Sequence, residues 1–418
     1  MIQSVRYIKE RIMEQSEKVG HWVFYPVILL AFLYPVNNSM LNLAIPLFFF
    51  RRGISTELIG LLSAGTTFAY TISPILLNKL SKKLPRKTSI IVALFGTLLA
   101  QVTFYFTLEP IPFLIARFSE GFIMGLYWTN LQSSISDNIY HDHKRMVARY
   151  NISWNVGVIS GFWVGALLTF YYEDLTLIFL YAPLIIFISL IIAVFKFKEP
   201  NKILIVLSEE ENASTMTLQK MKRPISYEKR EQINLINFPK IFPVLLVIIF
   251  SLTRATINFV FPIRSDLLGF DTYTIYIALF FFALSQSICT YIASIFSTTH
   301  LKLLPQIMSV VLMILIPLLG ITDEYYIFVI IFLVLGSCTG IIYGVSLRLI
   351  LILNMKNQTS IYSGVLESFI GASFLIAPIS SGFLANIDLN LPYYILSFLL
   401  LGINITLIGF INRKVNVD

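Results

Sequence analysis

Residues Asn42 to Pro46 read NLAIP, and 216 positions later Asn258 to Pro262 read NFVFP. Each segment lies near the end of a long apolar run, and in the same register each is followed by a glycine, Gly53 and Gly269. Within one residue of that offset, Gly121, Gly125 and Trp128 fall on Gly336, Gly340 and Tyr343, and Gly161 and Ala166 fall on Ala377 and Gly382. Agreement at one shift in three separate apolar segments predicts a duplicated chain.

Apolar runs make up most of the sequence. Of 418 residues, 56% are hydrophobic and 13% charged, with a mean hydropathy of +0.78, whereas a soluble domain is about one quarter charged. A bilayer span takes about 20 apolar residues. Hydropathy predicts six spans at 26–50, 56–77, 88–107, 111–135, 147–170 and 175–195, and six more at 241–262, 273–296, 304–321, 325–350, 359–384 and 391–411. The expected fold class is therefore an all-α membrane protein of twelve transmembrane helices in two pseudo-symmetric six-helix halves, 1–195 and 241–418. Halves in the same orientation, related by an axis along the membrane normal, are a transporter plan with the substrate site near the midplane between them.

With the N-terminus inside, the loops and adjoining helix ends on that side hold 26 Lys and Arg, and the opposite side holds only Arg51, Arg52 and Arg264. This positive-inside bias predicts a multi-pass protein of the cell membrane with both termini cytoplasmic. The net charge of +8 is thus read as a topology signal, not as a basic face for nucleic acid. The first twenty residues carry four basic groups and no apolar core, so no cleavable signal peptide is expected. Residues 196–240 mix Lys and Arg with Glu209, Glu210 and Glu211 and read as a solvated cytoplasmic linker.

Several segments then carry a family resemblance. Asn78 to Lys87, NKLSKKLPRK, is similar to the loop G-x-x-x-D-[RK]-x-G-[RK]-[RK] of the major facilitator superfamily, with Lys83, Arg86 and Lys87 in place and Asn78, Lys82 and Pro85 at the Gly, Asp and Gly positions. ARFSEG, Ala116 to Gly121, matches that family's R-x-x-x-G element. GVISGFWVGA, Gly157 to Ala166, resembles its antiporter signature G-x-x-x-G-P-x-x-G-G, with Phe162 at the Pro position, and SFLIAPISSG, Ser373 to Gly382, repeats the idea with Pro378 kept. The resemblance implies alternating access, a gating role for Lys83, Arg86 and Lys87, proton coupling at the R-x-x-x-G element, a monomer, and lipid-facing third, sixth, ninth and twelfth helices.

Charged groups at bilayer depth need a partner or a wet cavity, and those well inside spans are Arg117, Glu120, Arg254 and Glu367. Arg117 and Glu120 are three apart and share a helix face, which suits either a packing ion pair or a proton site; Glu120 and Glu367 are the proton-carrying candidates. Arg254 falls on Asn38 in the repeat. It pairs with Glu367 or Glu120 across the interface, or it awaits an anionic substrate group. Asn38 and Asn42, Arg254 and Asn258, and Asn151 and Asn155 are each four apart and put two polar groups on one face. Trp128 and Tyr343 add aromatic rings suited to organic compounds. The amides and the rings fit a cavity lining or helix packing.

His141, Asp142 and His143 supply too few ligands for a metal and read as solvated loop. Cys289 and Cys338 lie in separate apolar runs and read as core thiols. No phosphate-binding loop or hydrolase pattern occurs, so neither an enzyme nor a cofactor is expected. The expected function is secondary active transport, in the form of proton-coupled export of a small organic compound. The alternative is an uptake symporter or uniporter for an anionic or polar metabolite such as a sugar or organic acid.

Overall fold

The structure, a computed structural model, describes residues 2–136, 143–197, 239–294, 296, 300–357 and 361–412. The linker expected at 196–240 falls almost wholly outside them, as do His141 and Asp142. The described residues form α1 (Ile2–Arg51), α2 (Thr56–Lys83), α3 (Arg86–Phe104), α4 (Pro110–Ser136), α5 (His143–Tyr172) and α6 (Thr176–Phe195). The second set is α7 (Ile241–Leu267), α8 (Thr272–Ser294), α9 (His300–Leu315, continued by the single turn Leu318–Ile321), α10 (Tyr325–Asn357), α11 (Ile361–Ile387) and α12 (Leu391–Asn412). Six short connections, 52–55, 105–109, 173–175, 268–271, 322–324 and 388–390, gather at one end of the bundle, here termed the short-loop face. The opposite end is the linker face.

Among the described residues, ten helices contain a stretch long and apolar enough to cross a membrane. The two outside that set, α2 and α4, are 28 and 27 residues long, which is ample for a span. On α4 the apolar content is diluted by Arg117, Glu120 and Asn130. The two helices pack on one another, with Gly121 of α4 against the Thr66 backbone of α2.

The duplication appears in local geometry. Gly53 and Gly269 have φ of 73° and 78°, a region glycine enters without a Cβ penalty. At the end of α1, the Gly53 amide donates to the Phe50 carbonyl (2.9 Å) and the Ile54 amide to that of Phe49 (3.1 Å); at the end of α7, Gly269 donates to Asp266 (3.0 Å) and Phe270 to Ser265 (3.0 Å). All four residues in each motif are offset by 216, and both motifs are helix-terminating turns with a left-handed glycine. Helix crossings repeat too. A Cβ on Gly121 of α4 would lie 2.0 Å from the Thr66 carbonyl oxygen of α2, and one on Gly336 of α10 would lie 2.3 Å from the Phe282 carbonyl oxygen of α8. Small residues at these points let the backbones touch, which is how membrane helices associate when lipid is as apolar as the helix surface.

The halves meet through α1 with α7, α2 with α11 and α5 with α8. Helices α3, α6, α9 and α12 pack within their own halves and turn apolar side chains outward, as Leu184, Phe187, Ile188 and Ile191 of α6 do.

Candidate functional site: the chamber between the halves

At the short-loop face the halves are tied together. Arg51 of α1 donates from Nε to Asp266 of α7 (2.8 Å) and from Nη2 to the Thr272 hydroxyl of α8 (2.9 Å). The Thr56 hydroxyl of α2 donates to the Gly382 carbonyl of α11 (2.8 Å), and the Tyr276 hydroxyl of α8 to the Met40 carbonyl of α1 (2.8 Å). Gly165 of α5 makes room for the Tyr276 ring. At mid-depth the Ser287 hydroxyl of α8 donates to Asn155 Oδ1 of α5 (3.2 Å).

From this depth toward the linker face, polar side chains of both halves come to the interface. Arg254 of α7 is 8% exposed, and among the described residues it makes no hydrogen bond or ion pair. Its guanidinium carbon lies 5.9 Å from the centre of the Trp154 ring of α5, across the interface. Tyr343 of α10, within electrostatic reach of Arg254, stacks on Phe250 of α7 with ring centres 4.3 Å apart. Glu367 of α11 is exposed, has no hydrogen-bond or ionic partner among the described residues, and acts electrostatically on Tyr343 and on Tyr70 and Tyr150 of the other half. Asn151 is exposed and Asn38 and Asn258 are half-buried, and none of these three side chains is hydrogen-bonded to a described residue.

The other carboxylate candidate sits elsewhere. Arg117 and Glu120 are 3% and 1% exposed and form an ion pair of 3.0 Å. The Tyr105 hydroxyl donates to the second Glu120 oxygen (2.8 Å), and Arg117 also donates to Asn42 Oδ1 (3.1 Å). Tyr105 stacks on Phe113 with centres 4.4 Å apart. Helices α1 and α4 and the turn after α3 thus close a compact polar knot inside the N-terminal half, and neither acid bonds Arg254. Sequence reasoning missed Tyr105: it is separated from Glu120 by a turn, so no helical spacing marks the contact.

Of the amide pairs, Asn42 is engaged by Arg117 and Asn155 by Ser287, and the Asn155 amide also donates to the Asn151 carbonyl (2.8 Å). Trp128 packs edge-on against Tyr34, with centres 5.4 Å apart. Because Tyr34 and Phe250 are 216 apart, the Tyr34–Trp128 and Phe250–Tyr343 contacts are repeat counterparts. Lys83 is exposed near the end of α2, while Arg86 and Lys87 open α3 half-buried at the linker face. Among the described residues, no group of three or more His, Cys, Asp and Glu gathers to hold a metal.

The sequence profile of the Major Facilitator Superfamily matches residues 27–351. Among solved structures, the fold is similar to that of the nucleoside transporter NupG, with 14% identity and a TM-score of 0.70 over 94% of this chain and 100% of that one. It is also similar to a bacterial homologue of the human lysosomal transporter Spinster in an inward-facing, unoccupied conformation, with 10% identity and a TM-score of 0.65 over 93% and 95%. The human organic anion transporter MFSD10 gives 13% identity and a TM-score of 0.61 over 93% and 99%. No curated protein matches. At these identities the likeness is one of fold. Together with the duplicated six-helix halves and the family profile over most of its length, it establishes that this chain belongs to the major facilitator superfamily of membrane transporters.

Proposed function

We propose that this chain is a proton-coupled secondary transporter of a small organic compound. It works by alternating access in the cell membrane, as a monomer with its linker face and termini in the cytoplasm and residues 196–240 tethering the two halves. The observation that carries the reading is the pair Arg254 and Glu367, two ionisable side chains on the interface between the halves with no ionic partner among the described residues. A charge at bilayer depth costs several kcal/mol unless paired or wet, so such groups are kept for a ligand or a proton. An anion held at Arg254 favours the protonated form of a nearby carboxylate, and by linkage the proton favours the anion. The chamber's charges therefore support joint loading of proton and solute, as in uptake of an anionic or polar metabolite. Proton-driven export is the second reading, favoured by the likeness of Gly157–Ala166 to an antiporter signature.

Proteoliposomes with an internal pH dye test both. Protons moving with the solute mark symport, and protons moving against it mark exchange. Flux that moves no protons removes the proposal. Glu367→Gln is expected to abolish proton movement while solute still binds, whereas Glu120→Gln, inside the closed knot, is expected to keep it.

Alternating access requires the Arg51–Asp266 tie to break. Arg51 is 37% exposed at its side chain, and such pairs are worth about 0–1 kcal/mol, little enough to release in each cycle. Arg51→Cys with Asp266→Cys, bridged by a reducible thiol cross-linker, is expected to arrest transport, and reductant to restore it. Undiminished transport in the bridged protein would show that this face does not open.

A further inference from the structure

Two numerical coincidences in the repeat bear on what the chamber holds. Arg254 falls on Asn38, and Glu367 falls on Asn151, both at an offset of 216. The two ionisable groups of the chamber therefore both belong to the C-terminal half, and at the matched positions the N-terminal half presents neutral amides. Neither amide side chain is hydrogen-bonded to a described residue. Between the two poles stand rings from both halves, Trp154 facing Arg254 and Tyr343 laid on Phe250. A pseudo-symmetric cleft has thus become chemically one-sided.

We propose, resting on the reading of this chamber as the transport site, that it binds a planar organic monoanion in a single orientation. The carboxylate, or a group of like geometry, meets Arg254, whose planar fork matches two acceptor oxygens. The ring lies against Trp154 and Tyr343, where aromatic faces supply contact area. A neutral hydroxyl or carbonyl at the far end meets Asn38 and Asn151. An organic cation is disfavoured at this pole, because the buried Arg254, unpaired among the described residues, repels it. A neutral isostere leaves that guanidinium desolvated and unpaired, a defect that polar sites discriminate strongly.

The test measures binding to the purified full-length protein in lipid nanodiscs at neutral pH, by calorimetry and tryptophan fluorescence. The probes are benzoate, its neutral isostere benzamide, benzylammonium and 4-hydroxybenzoate. Benzoate is expected to bind at least about tenfold more tightly than benzamide or benzylammonium, the order expected for one charge-assisted pair. Arg254→Ala should erase that preference and Arg254→Lys should keep part of it. 4-Hydroxybenzoate should bind more tightly than benzoate, and Asn38→Ala with Asn151→Ala should remove the gain while sparing benzoate. Equal binding of benzoate and benzamide by the wild type, which needs no variant to fold, overturns the proposal, as does absence of benzoate binding or an unaltered preference in Arg254→Ala. Proton-coupled flux of some neutral compound in the pH-dye assay would then leave the transport reading standing while this inference falls.

Discussion

Glu120→Ala is expected to destabilise the folded protein by about 3–5 kcal/mol, the usual cost of stripping one partner from a buried ion pair. Arg117, 3% exposed, would keep only Asn42 as a hydrogen-bond partner, and the Tyr105 hydroxyl would lose its acceptor. The cost arises from stranded polar groups more than from the lost attraction. Glu120→Gln should lose less, because an amide oxygen can still accept from Tyr105. Replacing both partners, Arg117→Met with Glu120→Leu, should recover part of the loss, since no buried charge is left unpaired, while the Tyr105 hydroxyl and Asn42 Oδ1 still lose their partners. Thermal unfolding of the purified protein in nanodiscs measures all three. A Glu120→Ala protein that unfolds with the wild type would mean that the knot does not hold these helices together.

Gly121→Ala is expected to cost about 1–3 kcal/mol or more, the range for forcing an extra methyl into a packed contact. The new Cβ would meet the Thr66 carbonyl oxygen at 2.0 Å and the carbonyl carbon at 2.8 Å. Because those atoms are backbone, the strain is relieved only by driving α2 and α4 apart. Gly402→Ala on α12 is the matched control: it too sits within a helix, yet nothing lies within 4 Å of its Cβ position. That change should be neutral or stabilising by up to about 1 kcal/mol through helix propensity alone. Equal unfolding temperatures for the two variants would contradict the close approach of α2 and α4.

The contrast between these glycines shows which features were legible. Gly53, Gly269, Gly121 and Gly336 stand out in the repeat because each answers a local steric demand, a left-handed turn or a backbone touching a backbone. Hydropathy along the full sequence also locates α2 and α4 as spans, at 56–77 and 111–135. The Arg117–Glu120 pair was readable from its i,i+3 spacing. Its closure by Asn42 and Tyr105 was not, since those residues come from another helix and from beyond a turn. For Arg254, the sequence offered Glu120, Glu367 or a ligand as the counter-charge. Only the fold shows Glu120 committed to Arg117 and Glu367 without an ionic partner among the described residues.

By itself, the sequence determined the number and duplication of the helices, because both follow from apolar length and from glycine positions along one chain. Which polar groups are spent on one another and which remain available to a solute was decided by the tertiary structure alone. The physical reason lies in the solvent. In a bilayer, lipid and protein core are equally apolar, so the hydrophobic pattern of a helix does not say which face turns inward. That rotation is set by close contacts between helices, and it decides where Arg117, Arg254, Glu120 and Glu367 point.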